Sequence, residues 1–248
     1  MVVGNWNMHK TPTETRKFLA GIRDGLPKSR RCDVVFCVPP VCIPAAVKAV
    51  RESRVAIGGE HCSPHPSGPW PGEVSAPMLA DAGCRYVLVG HVARRAMGET
   101  DAEANAMLRA ILDAGMSPIL CCGETPAQRE QGVTEASVTV QLCAALQGVP
   151  SDALRRIVVA YAPLWTAENE SAAVPAQAQE GCAAARAVLR RLYGARLARS
   201  VVVLCGGMDE HNARQLLEQP DIDGGLIESA SLEAERFLQI VEAANQSQ

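Results

Sequence analysis

The chain has 248 residues, 48% of them hydrophobic and 21% charged, with a formal net charge of −3. That is ample apolar material for one large core in the size range of a single α/β barrel, so one domain over 1–248 is expected. Balanced charge offers no basic stripe for nucleic acid, and neither a charged leader nor a long apolar run marks an export signal or a membrane span, so a cytoplasmic protein is expected. In chain order, the first apolar run is 2–4, followed by a segment of helical period over 12–26. Run 34–38 precedes helix 44–52. Run 55–58 leads through a Pro-rich loop at 63–71 to a shorter helix at 75–82. Runs 86–90, 118–122 and 157–161 precede helices 101–114, 126–147 and 176–193. The last two pairs are 201–204 with 210–218 and 225–227 with 232–244.

Each run is short and rich in Val, Ile, Leu and Cys without polar alternation, the pattern of strands buried on both faces of a parallel sheet. Strict strand–helix alternation without a Gly-x-Gly-x-x-Gly turn predicts a (β/α)8 barrel, not an open nucleotide-binding sheet. The ten cysteines lie in a long chain with no Cys-x-x-Cys pair, so buried reduced thiols are expected, with neither a disulfide framework nor a zinc site. No spacing calls for a metal, nucleotide or flavin cofactor. His61, Cys62 and His65 form a compact group whose spacing fits no metal signature.

In such a barrel the reacting groups stand at the carboxyl ends of the strands. Asn5-Trp6-Asn7-Met8 follows the first run, Gly90-His91-Val92-Ala93-Arg94-Arg95 the fourth, and Gly98-Glu99-Thr100-Asp101 lies beyond it. Then come Cys122-Gly123-Glu124-Thr125, Ala160-Tyr161-Ala162-Pro163-Leu164-Trp165, Gly206-Gly207 and Asp221-Ile222-Asp223-Gly224. In this order, over nearly the whole chain, the blocks resemble the triosephosphate isomerase family, which implies the TIM barrel. Members of that family interconvert two triose phosphates by moving a proton between adjacent carbons, with a glutamate base and a neutral histidine electrophile.

The resemblance also exposes departures. The family's base position is Ala162, and the lysine of its Asn-Trp-Lys-Met-Asn signature is Asn7. A methyl group accepts no proton, and loss of a general base costs about 10²- to 10⁴-fold. Lys10 is expected to point elsewhere. The family's Gly-Gly turn after the eighth strand is Glu228-Ser229, the seventh-strand turn is Gly206-Gly207-Met208, and the lid at 166–171 has no glycine. A carboxylate at Glu228 would repel a phosphate dianion. The partners of the missing groups have changed too, to Val92, Ala93 and Pro71, a coherent outcome because an unpaired buried charge costs more than removing both members.

By resemblance, His91 is the electrophile and Asn5 its neighbour, so these two are the expected catalytic residues. Asn7, Gly206, Gly207, Glu228 and Ser229 are expected to bind substrate. Alternatively, His91 and Asn5 persist as scaffold, and Glu228 is a solvated loop carboxylate turned away from the pocket. The resemblance implies a homodimer through loop 63–73, with Ser63 and Glu73 at its ends and Trp70 at its tip. On these departures the chain is expected not to isomerise triose phosphates. It is read instead as a repurposed enzyme or binder for a small non-phosphorylated carbonyl or amine-bearing metabolite, with Glu168, Glu170 and Glu228 favouring a cationic group. The alternatives are a non-catalytic pseudoenzyme with a regulatory role and an authentic triosephosphate isomerase.

Overall fold

In the computed structural model, which describes residues 1–163 and 173–246, eight parallel strands close into a barrel in sequence order. They are β1 (Val2–Asn5), β2 (Val34–Val38), β3 (Val55–Gly59), β4 (Tyr86–Val89), β5 (Ser117–Cys122), β6 (Val158–Tyr161), β7 (Val202–Cys205) and β8 (Gly224–Ile227). Closure is made by β1 on β8, with Val3 opposite Leu226.

The absence of polar alternation has its explanation in two cores. Val3, Val35, Leu88, Ile119, Ala160, Leu204 and Leu226 fill the barrel interior with Cys37 and Cys121. Their neighbours in sequence, such as Val2, Val34, Phe36 and Val89, face outward into the larger core under the helices. Both faces are therefore dry, and the strands are apolar apart from residues near their ends, such as Asn5 and Ser117. Trp6, Phe36 and Phe237 are fully buried and, with Phe18, form a chain of ring contacts between 4.5 and 5.8 Å beside β1 and β2. All ten cysteines are free thiols, and all but Cys143 are buried.

Helices α1 (Pro12–Gly25), α2 (Ile43–Ala49) and α3 (Ala76–Asp81) follow the first three strands. After β4 comes a short α4 (Val92–Ala96) that periodicity does not announce, then α5 (Asp101–Asp113). The single helix expected over 126–147 is two, α6 (Pro126–Glu130) and α7 (Thr134–Ala145), broken where Gly132 takes φ +66°. Helix α8 (Pro175–Tyr193) carries the Ala-rich stretch. Three starts are capping boxes, in which Thr11, Thr100 and Thr125 each cap the helix reciprocally with Glu14, Glu103 and Gln128. From α8, the buried Arg186 clamps the approach to β8, with Asp223 at 2.7 Å and Asp221 at 3.0 Å.

Candidate active site

Three strand ends converge at the carboxyl mouth. Asn5 is the last residue of β1 and is 2% exposed. Two residues on, Asn7 turns the chain with a left-handed φ of +52°, a conformation that asparagine tolerates better than most residues. His91 precedes α4 and is 5% exposed, and Glu228 immediately follows β8.

These residues form one network. Asn5 Nδ2 donates to Asn7 Oδ1 at 2.9 Å and lies 3.4 Å from His91 Nε2. His91 Nε2 is 3.0 Å from Glu228 Oε1. Although His91 sits at the N-cap of α4, its ring makes no capping bond. Nor is Glu228 turned away to solvent, since two thirds of its side chain is covered. Burial pushes the Glu228 carboxyl up, but hydrogen bonds from His91, Asn7 and Asn5 and the charge of His91 outweigh it, holding the group below the usual carboxylate range. Glu228 is therefore an ionised, oriented acceptor whose charge is met by donors, and the repulsion expected against a phosphate is correspondingly reduced.

Among the described residues, the corresponding place on the opposite side of the mouth is taken by Ala162, which carries no ionisable group. Ala162 follows β6 and is 8% exposed, its N–H donating to Cys122 O at 2.8 Å. A Cβ on Gly206 would lie 3.1 Å from Ala162 Cα, so glycine suits the place where β6 and β7 crowd. Gly207 continues with φ +69°. Met208 is 3% exposed and turns its sulfur over Gly225 into the core, not into the mouth. Ser229 is exposed at the start of the short turn after Glu228. Behind Ala162, Tyr161 donates its hydroxyl to buried Glu124. Lys10 does point elsewhere: its Nζ donates to Leu232 O at 2.9 Å and covers the Phe18 ring. The lid at 166–171, with Glu168 and Glu170, and residues Leu164 and Trp165 lie outside the described residues.

One carboxyl at the mouth has no place in the sequence expectations. Glu60 directly follows β3, accepts a hydrogen bond from the backbone of Asn7, and has a buried Oε1 without a partner. Burial raises it to about 8. The available signal was a lone acid placed directly after a buried strand. His61 is drawn into a separate charged group with Glu73, Glu99 and Arg94, beside a cavity of about 350 Å³ under the 63–73 loop. Trp70 stacks on His65 at 4.3 Å on that loop and is half exposed.

The model of the family described as triosephosphate isomerase matches residues 1–244. Relatives named triosephosphate isomerase include that of Dechloromonas aromatica, 43% identical over 99% of this chain and 98% of its own. Those of Chloroflexus aurantiacus and Carboxydothermus hydrogenoformans are 41% and 37% identical, over 97% and 98% of both chains respectively. These relatives overturn the expectation of a function moved away from triose phosphate isomerisation, whether to a non-phosphorylated metabolite or to a scaffold. They favour the authentic enzyme instead. That expectation was drawn mainly from missing groups at positions 162 and 7, whereas folding brings a carboxylate from β8 against the imidazole. With a closed barrel in sequence order, His91 and Asn5 together at its mouth, and a match along almost its whole length, the chain belongs to the triosephosphate isomerase family.

Proposed function

We propose that this chain interconverts two triose phosphates by proton transfer between adjacent carbons, with Glu228 as the carboxylate that carries the proton. Family membership supports the reaction, and the observation that carries the assignment is Glu228 Oε1 lying 3.0 Å from His91 Nε2. A base must be ionised and within reach of the polarising donor, and Glu228 meets both conditions while Ala162 meets neither. When substrate enters, its carbonyl oxygen takes the hydrogen bond of the imidazole and frees the carboxylate. Glu228 removes the proton from the hydroxyl-bearing carbon, the C–H electron pair becomes the C=C bond, and the carbonyl electrons pass to oxygen. His91 and the carboxamide of Asn5 stabilise that oxygen. Delivery of a proton from Glu228, which exchanges with solvent while the enediolate lasts, to the neighbouring carbon, and passage of the other hydroxyl proton by way of His91 to the first oxygen as the new carbonyl forms, complete the exchange. We assign substrate binding to Asn7 and the phosphate to the turns at Gly206, Gly207 and Ser229. No cofactor enters these steps.

A homodimer is part of this reading. Met8, Val41, Trp70 and Met97 are exposed apolar residues on the loops after β1, β2, β3 and β4, one side of the same barrel end. Several large apolar side chains exposed at one end of a barrel support an association site there, and loop 63–73 with its stiffening prolines is the projecting element. Light scattering at micromolar concentration is expected to give twice the chain mass; a monomer removes the dimer. A complement of ten free thiols suits a reducing cytoplasm.

A coupled assay in both directions, repeated in D₂O with NMR of the product, tests the reaction. Turnover with deuterium entering at the exchanging carbon is expected. Absence of turnover in both directions at millimolar triose phosphate overturns the proposal.

A further inference from the structure

Glu60 is a carboxyl that the reaction above does not use. Its strand ends in Gly58 and Gly59, packed so closely on Cys37 and Leu79 that added Cβ atoms would approach them to 2.9 and 3.0 Å. The chain therefore reaches the mouth with the backbone low, and Glu60 is the first side chain it places there. That carboxyl accepts the Asn7 backbone N–H. Asn7 is held in the left-handed region, and its carboxamide in turn takes the hydrogen bond of Asn5 and bonds to Glu228. A turn at positive φ in a non-glycine residue costs energy and persists only where neighbours fix it.

Resting on the assignment of Glu228 and His91 as the reacting pair, we infer that Glu60 is a positioning residue of this site, its carboxyl fixing the Asn7 turn that aims Asn7 and Asn5 at the pair. It acts as a neutral group. Burial holds its proton to about pH 8, while Glu228 at the other end of the network is ionised. Environments that drive two carboxyls apart in this way give them different tasks. Among the described residues, the groups facing Glu60 are the Asn7 backbone from the turn after β1 and the buried Cys37 thiol of β2, with no cation to stabilise its ionised form. The unpartnered Oε1 completes the picture, because a protonated carboxyl keeps one donor for a water or a substrate oxygen there. Ionisation of Glu60 would put a second anion at the mouth, weakening both the Asn7 turn and the hold on an anionic substrate.

Three variants test this. In the wild type, kcat/KM is expected to fall on the alkaline side near pH 8. Glu60→Gln, which copies the neutral carboxyl, should keep neutral-pH turnover within about threefold and lose that alkaline fall. Glu60→Ala should lower kcat about tenfold or more with a smaller change in KM, because the reacting pair is misaimed rather than the substrate released. An alkaline limb unchanged in Glu60→Gln, or full kcat in Glu60→Ala, overturns the inference. A readout free of turnover separates this from the proposed reaction. In protein carrying ¹³C at the glutamate carboxyls and ¹⁵N throughout, one carboxyl lost in Glu60→Gln should titrate near pH 8. The Asn5 and Asn7 carboxamide signals should move with it and be displaced in Glu60→Ala. Carboxamide signals indifferent to both sink the inference even where turnover is normal. Movement of those signals in a protein without turnover supports it and leaves only the reaction at fault. Glu228→Gln serves as the folded control that should leave the Glu60 titration in place.

Discussion

The two sides of the barrel mouth differ in kind. On the β8, β1 and β4 side, an ionised carboxylate, an imidazole and two carboxamides hold one another within hydrogen-bonding distance. On the β6 side, Ala162 sits among the glycines 123 and 206 with its backbone pinned to β5, and Glu124 behind it is buried and engaged by Tyr161. A proton-transfer site needs one base near one donor, not a base on a particular strand. In a closed barrel any strand end can supply it, because all eight point to the same small space.

That contrast can be broken most directly at Glu228. Glu228→Gln keeps the size and the hydrogen bonds to the network but removes the proton acceptor, and kcat is expected to fall about 10³-fold or more. His91→Gln should cost about 10²-fold, and the double variant should fall little below Glu228→Gln, since residues acting as a unit are not additive. Turnover that survives Glu228→Gln would return the base to another position. The next largest test restores a carboxylate on the quiet side. Ala162→Glu is expected to change kcat by less than about tenfold, because the proton already moves from β8. A rise of several hundredfold would mean that the reacting carbon faces β6.

The smallest effect sharpens the comparison through stability. Glu60 has a folded-state value near 8 against an ordinary 4.5. Below pH 4.5 both folded and unfolded chains hold its proton. Between the two values only the folded chain does, so stability falls as pH rises through that window and levels off above 8. Glu60→Gln should remove this fall, leaving a Tm that is flatter between pH 5 and 8 and a few degrees higher at pH 8. A wild-type slope retained in the variant would assign it elsewhere. Glu228 has the opposite sign: its lowered value stabilises above the unfolded range, and that contribution is lost only as pH drops below it.

The barrel was legible from eight apolar runs without alternation, since burial on both faces leaves only that pattern. Lys10 was legible as a residue aimed elsewhere. The break at Gly132 was not, because helical period continues through 126–147 and one left-handed glycine interrupts it. Glu60 escaped notice because nothing in the order of residues says that a carboxyl after β3 will be buried without a counter-charge. Activity was not legible, because the departures at positions 162 and 7 stand in plain view in the sequence, whereas the meeting of His91 with Glu228, 137 residues further on, exists only in the fold.

By itself, then, the sequence determined the number and order of strands, the family, and the residue types standing at the mouth, because burial and turn chemistry act locally and repeat around the barrel. Only the tertiary structure decided which of those residues meet, that Glu228 turns inward to His91 and that Glu60 stays protonated beside Asn7. Both outcomes depend on closure of β8 onto β1 and on how much water that closure leaves around each carboxyl, and neither property belongs to any stretch of chain taken alone.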